Sequence, residues 1–323
     1  MKNLLKYFFA FVILVLHLSC EDALNPFVKG EDVFILNCVL KNDRAFQTAY
    51  LSKNYFVENF NPNSDTNNHS INNAYIRIFF EDSVKIFSDT LTQKNINSAQ
   101  SLTSYFNNNF LTKPDTEYEL EAVLNDGRKL KSFTKTPNTV SFLYTSDNLI
   151  PPTNKNSVSV YWTSPDEQLY NAARFKFIYF KNENGTQVRY EKEVPRTYVL
   201  ENSTYIPYFP EPSYAKQITV EMNAFDRALR EISEGDSIKS NYTILAFILE
   251  ILVYDKNLTA YYASKTELGE SFSITVNESD YTNIIGGKGI FGSFIKQRYA
   301  IKFTLDYIHS FGYIPGLTEN LNE

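Results

Sequence analysis

The chain of 323 residues carries only two cysteines, three histidines, one tryptophan and 11 glycines, and no apolar run is long enough to span a membrane. Each shortage excludes something. Beyond the leader the only thiols are Cys20 and Cys38, and the only imidazoles are the distant His69 and His309. That is too few soft ligands for a structural zinc site and too few thiols for a disulfide framework. A triad built on histidine would need His69 or His309 beside a nucleophile and an acid, and neither lies in a recognisable motif. The apolar stretch from Ile244 to Val253 is interrupted by Glu250. It is about half the roughly 20 residues that a spanning helix needs. Basic clusters are missing too, which argues against nucleic acid as a partner, since phosphate binding requires concentrated Lys and Arg.

What is present begins with a leader. Met1-Lys2-Asn3-Leu4-Leu5-Lys6 supplies a positive start, Tyr7 to Leu18 is largely apolar, and Ser19 places a small residue directly before Cys20-Glu21-Asp22. This layout predicts an export signal over residues 1–19 of the bacterial lipoprotein kind, cleaved so that Cys20 carries acyl chains such as palmitate at the head of a tether, residues 20–30. His17 stands where leucine is usual in such signals. The alternative is an ordinary secreted protein cut after Ser19, with Cys20 a plain thiol. Two or three acyl chains, at roughly 0.8 kcal/mol per buried methylene, would hold a folded domain stably at a membrane. Loss of Lys2 and Lys6 with the leader takes the 31 basic side chains to 29 against 37 acidic ones, a formal charge of −8.

The patterning is of β type. Short runs rich in Val, Ile, Phe, Tyr and Thr alternate with Asn, Asp, Pro and Gly clusters. Strands are expected over Asp32–Leu40, Gln47–Ser52, Ala74–Phe80, Val84–Ser88, Tyr118–Leu124 and Lys129–Thr134, the last two joined by the hairpin signal Asn125-Asp126-Gly127. Cys38 falls inside the first of these runs and reads as a core thiol. The Asn-rich stretch Asn59–Asn73 reads as a long loop. About 300 residues exceed one ordinary core, and the expected architecture is two β-sandwich modules of immunoglobulin or fibronectin type, residues 31–138 and 139–323. The second contains Val158–Pro165, Arg174–Phe180, Val188–Glu193 and Ile218–Ala224 as strands, and resembles a fibronectin type III domain, with Trp162 read as core packing just before Pro165. Short helices are expected over Phe225–Ser233 and Asn257–Lys265, the latter capped by Asp255 or Asn257. Strands return at Ile244–Tyr254, Phe272–Val276 and Arg298–Leu305.

Several segments could carry chemistry. Gly287-Lys288-Gly289-Ile290-Phe291-Gly292 formally matches the dinucleotide fingerprint, but a strand, not a helix, is expected to follow it. Gly286, Gly287, Gly289 and Gly292 therefore read as a structural turn. The stretch Asn61–Asn68 offers oxygen ligands for calcium, with one carboxylate and no glycine at the turn. Acidic pairs suited to glycoside hydrolysis are too numerous among 37 carboxylates to single out. The best binding candidate is the loop Asn202–Tyr214, where Tyr205, Tyr208, Phe209 and Tyr214 could stack on sugars or peptides. The preferred reading of those rings is that they plug one end of the second sandwich or its seam with the first.

The chain also resembles a known family. Cys20-Glu21-Asp22, Tyr118-x-Leu120 running into Asn125-Asp126-Gly127, Thr136-Pro137 and the late segment Asn283 to Gly292 together look like the lipoproteins of domain of unknown function 4249. The resemblance implies a lipid anchor, β-rich domains and an association with outer-membrane nutrient importers of the β-barrel, TonB-dependent type. It brings no catalytic residues to carry over, and no cofactor is expected. Asp82-Ser83-Val84, Asp89-Thr90-Leu91 and Asp236-Ser237-Ile238 resemble sites that some such bacteria glycosylate. The expected function is a non-enzymatic accessory lipoprotein of the outer membrane that binds a nutrient, a small molecule or glycan, or docks on an importer. The alternatives are a surface enzyme acting on glycans or peptides, and an adhesive or structural surface protein.

Overall fold

The computed structural model describes residues 32–54, 68–93, 101–143, 149–267 and 281–316. The leader, Cys20 and its tether, residues 59–67 of the Asn-rich stretch and the expected strand Phe272–Val276 lie outside the described residues. The protein is all-β with a few short helices, its sheets packed in a sandwich-like arrangement. Strand formation follows from alternation. In β1 (Phe34–Lys41), Phe34, Leu36, Cys38 and Leu40 are buried while the residues between them turn outward. Burial pushes the Cys38 thiol up to about 12, which makes it an inert core group.

The first module consists of β1, β2 (Gln47–Lys53), β3 (Tyr75–Phe80), β4 (Ser83–Gln93), β5 (Ser101–Asn107), β6 (Glu117–Val123) and β7 (Lys129–Lys135). Strand β4 changes partner along its length. Ser83–Phe87 pair with β3 and Ser88–Gln93 pair with β5, which carries the sheet from one layer to the other. Leu36, Leu51, Ile76, Tyr105, Phe110, Tyr118 and Leu120 form the core so enclosed. The β6–β7 turn is the expected one, with Gly127 at φ +87° and its N–H donated to the Leu124 carbonyl.

The second module contains β8 (Ser141–Leu143), β9 (Leu149–Ile150), β10 (Ser157–Thr163), β11 (Asn171–Glu183), β12 (Thr186–Val194), β13 (Thr197–Glu201), β14 (Thr204–Tyr208) and β15 (Gln217–Glu221), followed by helix α1 (Met222–Ile232). After α1 come β16 (Tyr242–Tyr254), α2 (Lys256–Glu267), β17 (Lys288–Phe303), α3 (Leu305–His309) and β18 (Ile314–Pro315). One face of β11 and β16 packs Phe175, Phe177, Phe247 and Leu249 against Val158, Val160 and Trp162 of the small sheet β15-β10-β8 and against Phe225 and Leu229 of α1. Trp162 is thus core packing.

The two cores change over near residue 138, yet the main sheet runs through both, in the order β12-β11-β16-β17-β1-β2-β5-β4-β3-β6-β7. Strand β17 makes the join. Its first half lies parallel to β1, from Ile35 opposite Lys288 to Lys41 opposite Phe294, and its second half is antiparallel to β16. Ile284 and Phe291 pack in the first core, so part of the segment expected to serve only the second module serves the first. The described residues of Val33–Lys53 and of the chain from Asn68 onward belong to one compact unit.

Three local expectations are corrected. Met222, Asn223 and Ala224 open α1 instead of extending β15, because Ala224, Phe225, Ala228 and Leu229 give a helical stripe that buries against the sheet. Leu305 begins α3 and is exposed, so it does not continue the buried row Tyr299, Ile301 and Phe303. Asn202–Tyr214 is no plain loop, since its first part completes a hairpin with β13.

Candidate functional site

The glycine segment is held by close backbone approach. A side chain at Gly286 would meet the Lys129 carbonyl at 2.7 Å, and one at Gly287 would meet the Phe34 carbonyl at 2.6 Å. Gly289, at φ +113°, lies against the Leu36 carbonyl, and a side chain at Gly292 would strike Leu258 of α2 at 2.6 Å. The Asn37 side chain completes the contact by accepting the Ile290 N–H at 3.1 Å. No helix follows the segment; strand β17 does. These glycines let β17 lie beside β1 and let α2 sit on top of it.

The four aromatic residues picked out by sequence do not converge. Strands β13 and β14 form a two-residue hairpin whose central residues, Asn202 and Ser203, both have positive φ, as a type I′ connection requires. Three residues apart on one strand, Tyr205 and Tyr208 face opposite sides of this ribbon. Arg227 of α1 stacks on Tyr205, 3.7 Å from the ring centroid, and Tyr198 donates its hydroxyl hydrogen to Glu231 at 3.1 Å. The other side of the ribbon presents Val199, Ile206 and Tyr208 to solvent, with Tyr208 55% exposed. Phe209 follows, also exposed. Tyr214 lies elsewhere, edge-on to Tyr170 at 4.5 Å. The rings therefore do not plug the sandwich. Both faces of the ribbon are open to solvent, and on the side turned to α1 it is the Arg227–Tyr205 stack and the Tyr198–Glu231 hydrogen bond that hold it.

Sequence reasoning missed a cleft of about 750 Å³. Its floor is the outward face of β6 and β7 with the end of β3, contributing Phe79, Glu117, Glu119, Phe133 and Lys135, and its far wall holds Asp166, Leu169, Lys256 and Asn257. Cross-strand register sets Phe79, Glu119 and Phe133 in one row, ring, carboxylate, ring. Phe133 is 57% exposed. Lys135 bonds Asp115 at 2.7 Å, and that hydrogen bond, aided by the nearby Glu117 and Asp166, raises its pKa.

Two charged clusters complete the electrostatics. On the face of β16 turned away from the core, Glu250 receives Lys176 at 2.9 Å, Lys296 at 2.8 Å and Arg298 at 3.2 Å. Burial alone would push this carboxyl up, but Lys296 and Lys176 outweigh burial and hold it at about 2. Asp255, immediately before α2, behaves in the opposite way. Its carboxylate caps α2 through the Leu258 N–H at 2.7 Å and accepts hydroxyl hydrogens from Thr134 of β7 and Ser293 of β17. No cation reaches it among these contacts, and burial pushes it up to about 6.

The remaining candidates are dispersed. The His69 carbonyl accepts the Lys53 N–H, and His309 ends α3. Among the described residues no group of three or more His, Cys, Asp or Glu is placed to hold a metal ion. Of the calcium candidate only Asn68 is described, its side chain accepting the Ser70 N–H. Ser83, Thr90 and Ser237 are all exposed. No helix among the described residues is long and apolar enough to cross a membrane. No protein-family model matches the chain, and no curated protein matches it.

Proposed function

We propose that this protein is an accessory lipoprotein of the outer membrane, anchored through Cys20, that acts by docking on a β-barrel importer and performs no turnover of its own. The observation that carries the reading is the β13–β14 hairpin. It projects Val199, Ile206 and Tyr208 outward, braced from behind by the Arg227 stack. An aromatic side chain on a braced support supplies contact area at low entropic cost, and tyrosine is among the residues that dominate protein interfaces, with Val199 and Ile206 adding apolar area around Tyr208. The leader ending at Ser19-Cys20, and the resemblance to the lipoproteins of domain of unknown function 4249, support the anchor and the class of partner.

The test is a mild-detergent purification of tagged protein from outer membranes. Wild type is expected to bring a large barrel with it. A Val199→Ser, Ile206→Ser, Tyr208→Ser variant is expected to remain membrane-bound and arrive alone, while Cys20→Ala leaves the membrane fraction. Wild type that is anchored yet arrives alone would overturn the proposal.

A further inference from the structure

The cleft on the first module carries an inference that stands apart from the hairpin. Five carboxylates line it, those of Glu81, Asp115, Glu117, Glu119 and Asp166. Five lysines balance them. Glu81 is paired with Lys113, Asp115 with Lys135, and Glu119 with Lys131. Glu121, also beside Lys131, has Arg77 as its own partner. Glu117 stands across the strand pair from Lys135 and acts on it electrostatically. Asp166 accepts the Asn138 N–H and lies in the field of Lys216, whose ammonium donates to the Asp166 carbonyl at 2.9 Å. The fifth lysine, Lys256, lies in the far wall. Among the rings, Phe133 differs from Phe79. Arg77 lies over Phe79 at 4.8 Å, whereas Phe133 is exposed and has no aromatic or cationic partner among the described residues.

We infer that the cleft binds a neutral carbohydrate, a short oligosaccharide with one sugar ring stacked on Phe133 and its hydroxyls on the lining carboxylates. The charges in and beside the cleft sum to zero, so a cationic or anionic ligand would leave one charge uncompensated. An apolar ligand fares no better, since it would strip water from five carboxylates and return no hydrogen bond. A sugar meets both conditions. A carboxylate has about four lone-pair sites, so one already paired with a lysine or a backbone N–H still accepts hydroxyl hydrogens. The C–H face of a pyranose is apolar and carries partial positive charge, which suits the negative face of an aromatic ring. The volume of about 750 Å³ falls within the range of small-ligand sites, roughly 300–1,000 Å³.

The test is calorimetric titration of the purified full-length chain, in a detergent without a sugar headgroup, with maltotriose, cellotriose, mannotriose and xylotriose, beside the charged trimers of glucosamine and galacturonic acid. At least one neutral trisaccharide is expected to bind saturably, with both charged trimers at least about tenfold weaker, the cost of one uncompensated charge. Phe133→Ala should weaken that sugar about tenfold through loss of the stacking ring, and Glu119→Ala by a similar factor through loss of an acceptor. Phe133 is exposed, and Lys131 keeps Glu121 when Glu119 is removed, so both variants are expected to fold, and an unchanged unfolding midpoint checks this. The hairpin variant Val199→Ser, Ile206→Ser, Tyr208→Ser should bind the sugar as wild type does. No saturable binding of any neutral trisaccharide, equal or tighter binding of a charged trimer, affinity unmoved by Phe133→Ala, or binding lost with the hairpin variant would each overturn the inference. The docking of the hairpin on a barrel is read separately, by the co-purification.

Discussion

Glu250→Gln is the most informative single change in the sheet. The substitution keeps the shape of the side chain and removes the charge that Lys176, Lys296 and Arg298 surround. The carboxyl moves from 4.5 to about 2 on folding, which at about 1.36 kcal/mol per pH unit corresponds to about 3 kcal/mol in favour of the ionised form. That value is an upper bound for the variant. Lys176 keeps Glu191 at 3.7 Å and Lys296 keeps Asp43 at 3.3 Å, so neither cation is stranded. The expected loss at pH 7 is therefore about 2–3 kcal/mol. The sign with pH follows from the lowered value. The stabilisation is complete above about 4.5 and is lost as pH falls through about 2, so wild type and variant should converge there. Urea unfolding followed by fluorescence is a direct assay, because Trp162 is the only tryptophan and is buried in the core on the other face of the same sheet. A loss below about 1 kcal/mol at pH 7, the range of exposed ion pairs, would refute the reasoning. So would a larger loss that persists unchanged at pH 2.

Two further outcomes follow from the same structure. Asp255 is raised from 3.8 to about 6, so its favourable contribution is complete below about 3.8 and is lost as pH rises through about 6. Asp255→Asn keeps the helix cap and should therefore be more stable than wild type at pH 8, by up to about 3 kcal/mol, with no difference near pH 4; a variant less stable at pH 8 contradicts this. Gly289→Ala places a side chain against the Leu36 carbonyl at φ +113° and should abolish the pairing of β17 with β1. It should leave little folded protein by circular dichroism, whereas Gly127→Ala, whose site is open, should cost only about 1 kcal/mol of backbone strain.

Much of the fold is legible in the sequence because exposure alternates along its strands. Phe34, Leu36, Cys38 and Leu40 declare β1, and Asn125-Asp126-Gly127 declares the β6–β7 turn without any tertiary information. The strand β5 is less visible because Ser101, Thr103 and Ser104 dilute its apolar residues, and its burial comes from neighbours on either side. The helical start at Met222 is hidden by Ile218-Thr219-Val220-Glu221, whose alternation continues smoothly into Met222-Asn223-Ala224. Pairing of β1 with β17 joins residues about 250 positions apart, which no local pattern encodes, although the cluster of glycines marks where close approach is required. The cleft is the least legible feature. Its residues come from β3, β6, β7, the segment before β11 and the start of α2, and no local pattern in the sequence brings these segments together.

The central claim is that the outer face of the hairpin meets a barrel in the membrane. A photo-crosslinking residue placed at position 208 in living cells tests this contact where it would occur, because Tyr208 points outward and is not needed for the Arg227 stack. The account predicts one covalent adduct with a large, heat-modifiable outer-membrane barrel, absent when Cys20→Ala is introduced into the same chain. No barrel adduct at position 208, or an adduct of equal yield without Cys20, would contradict it.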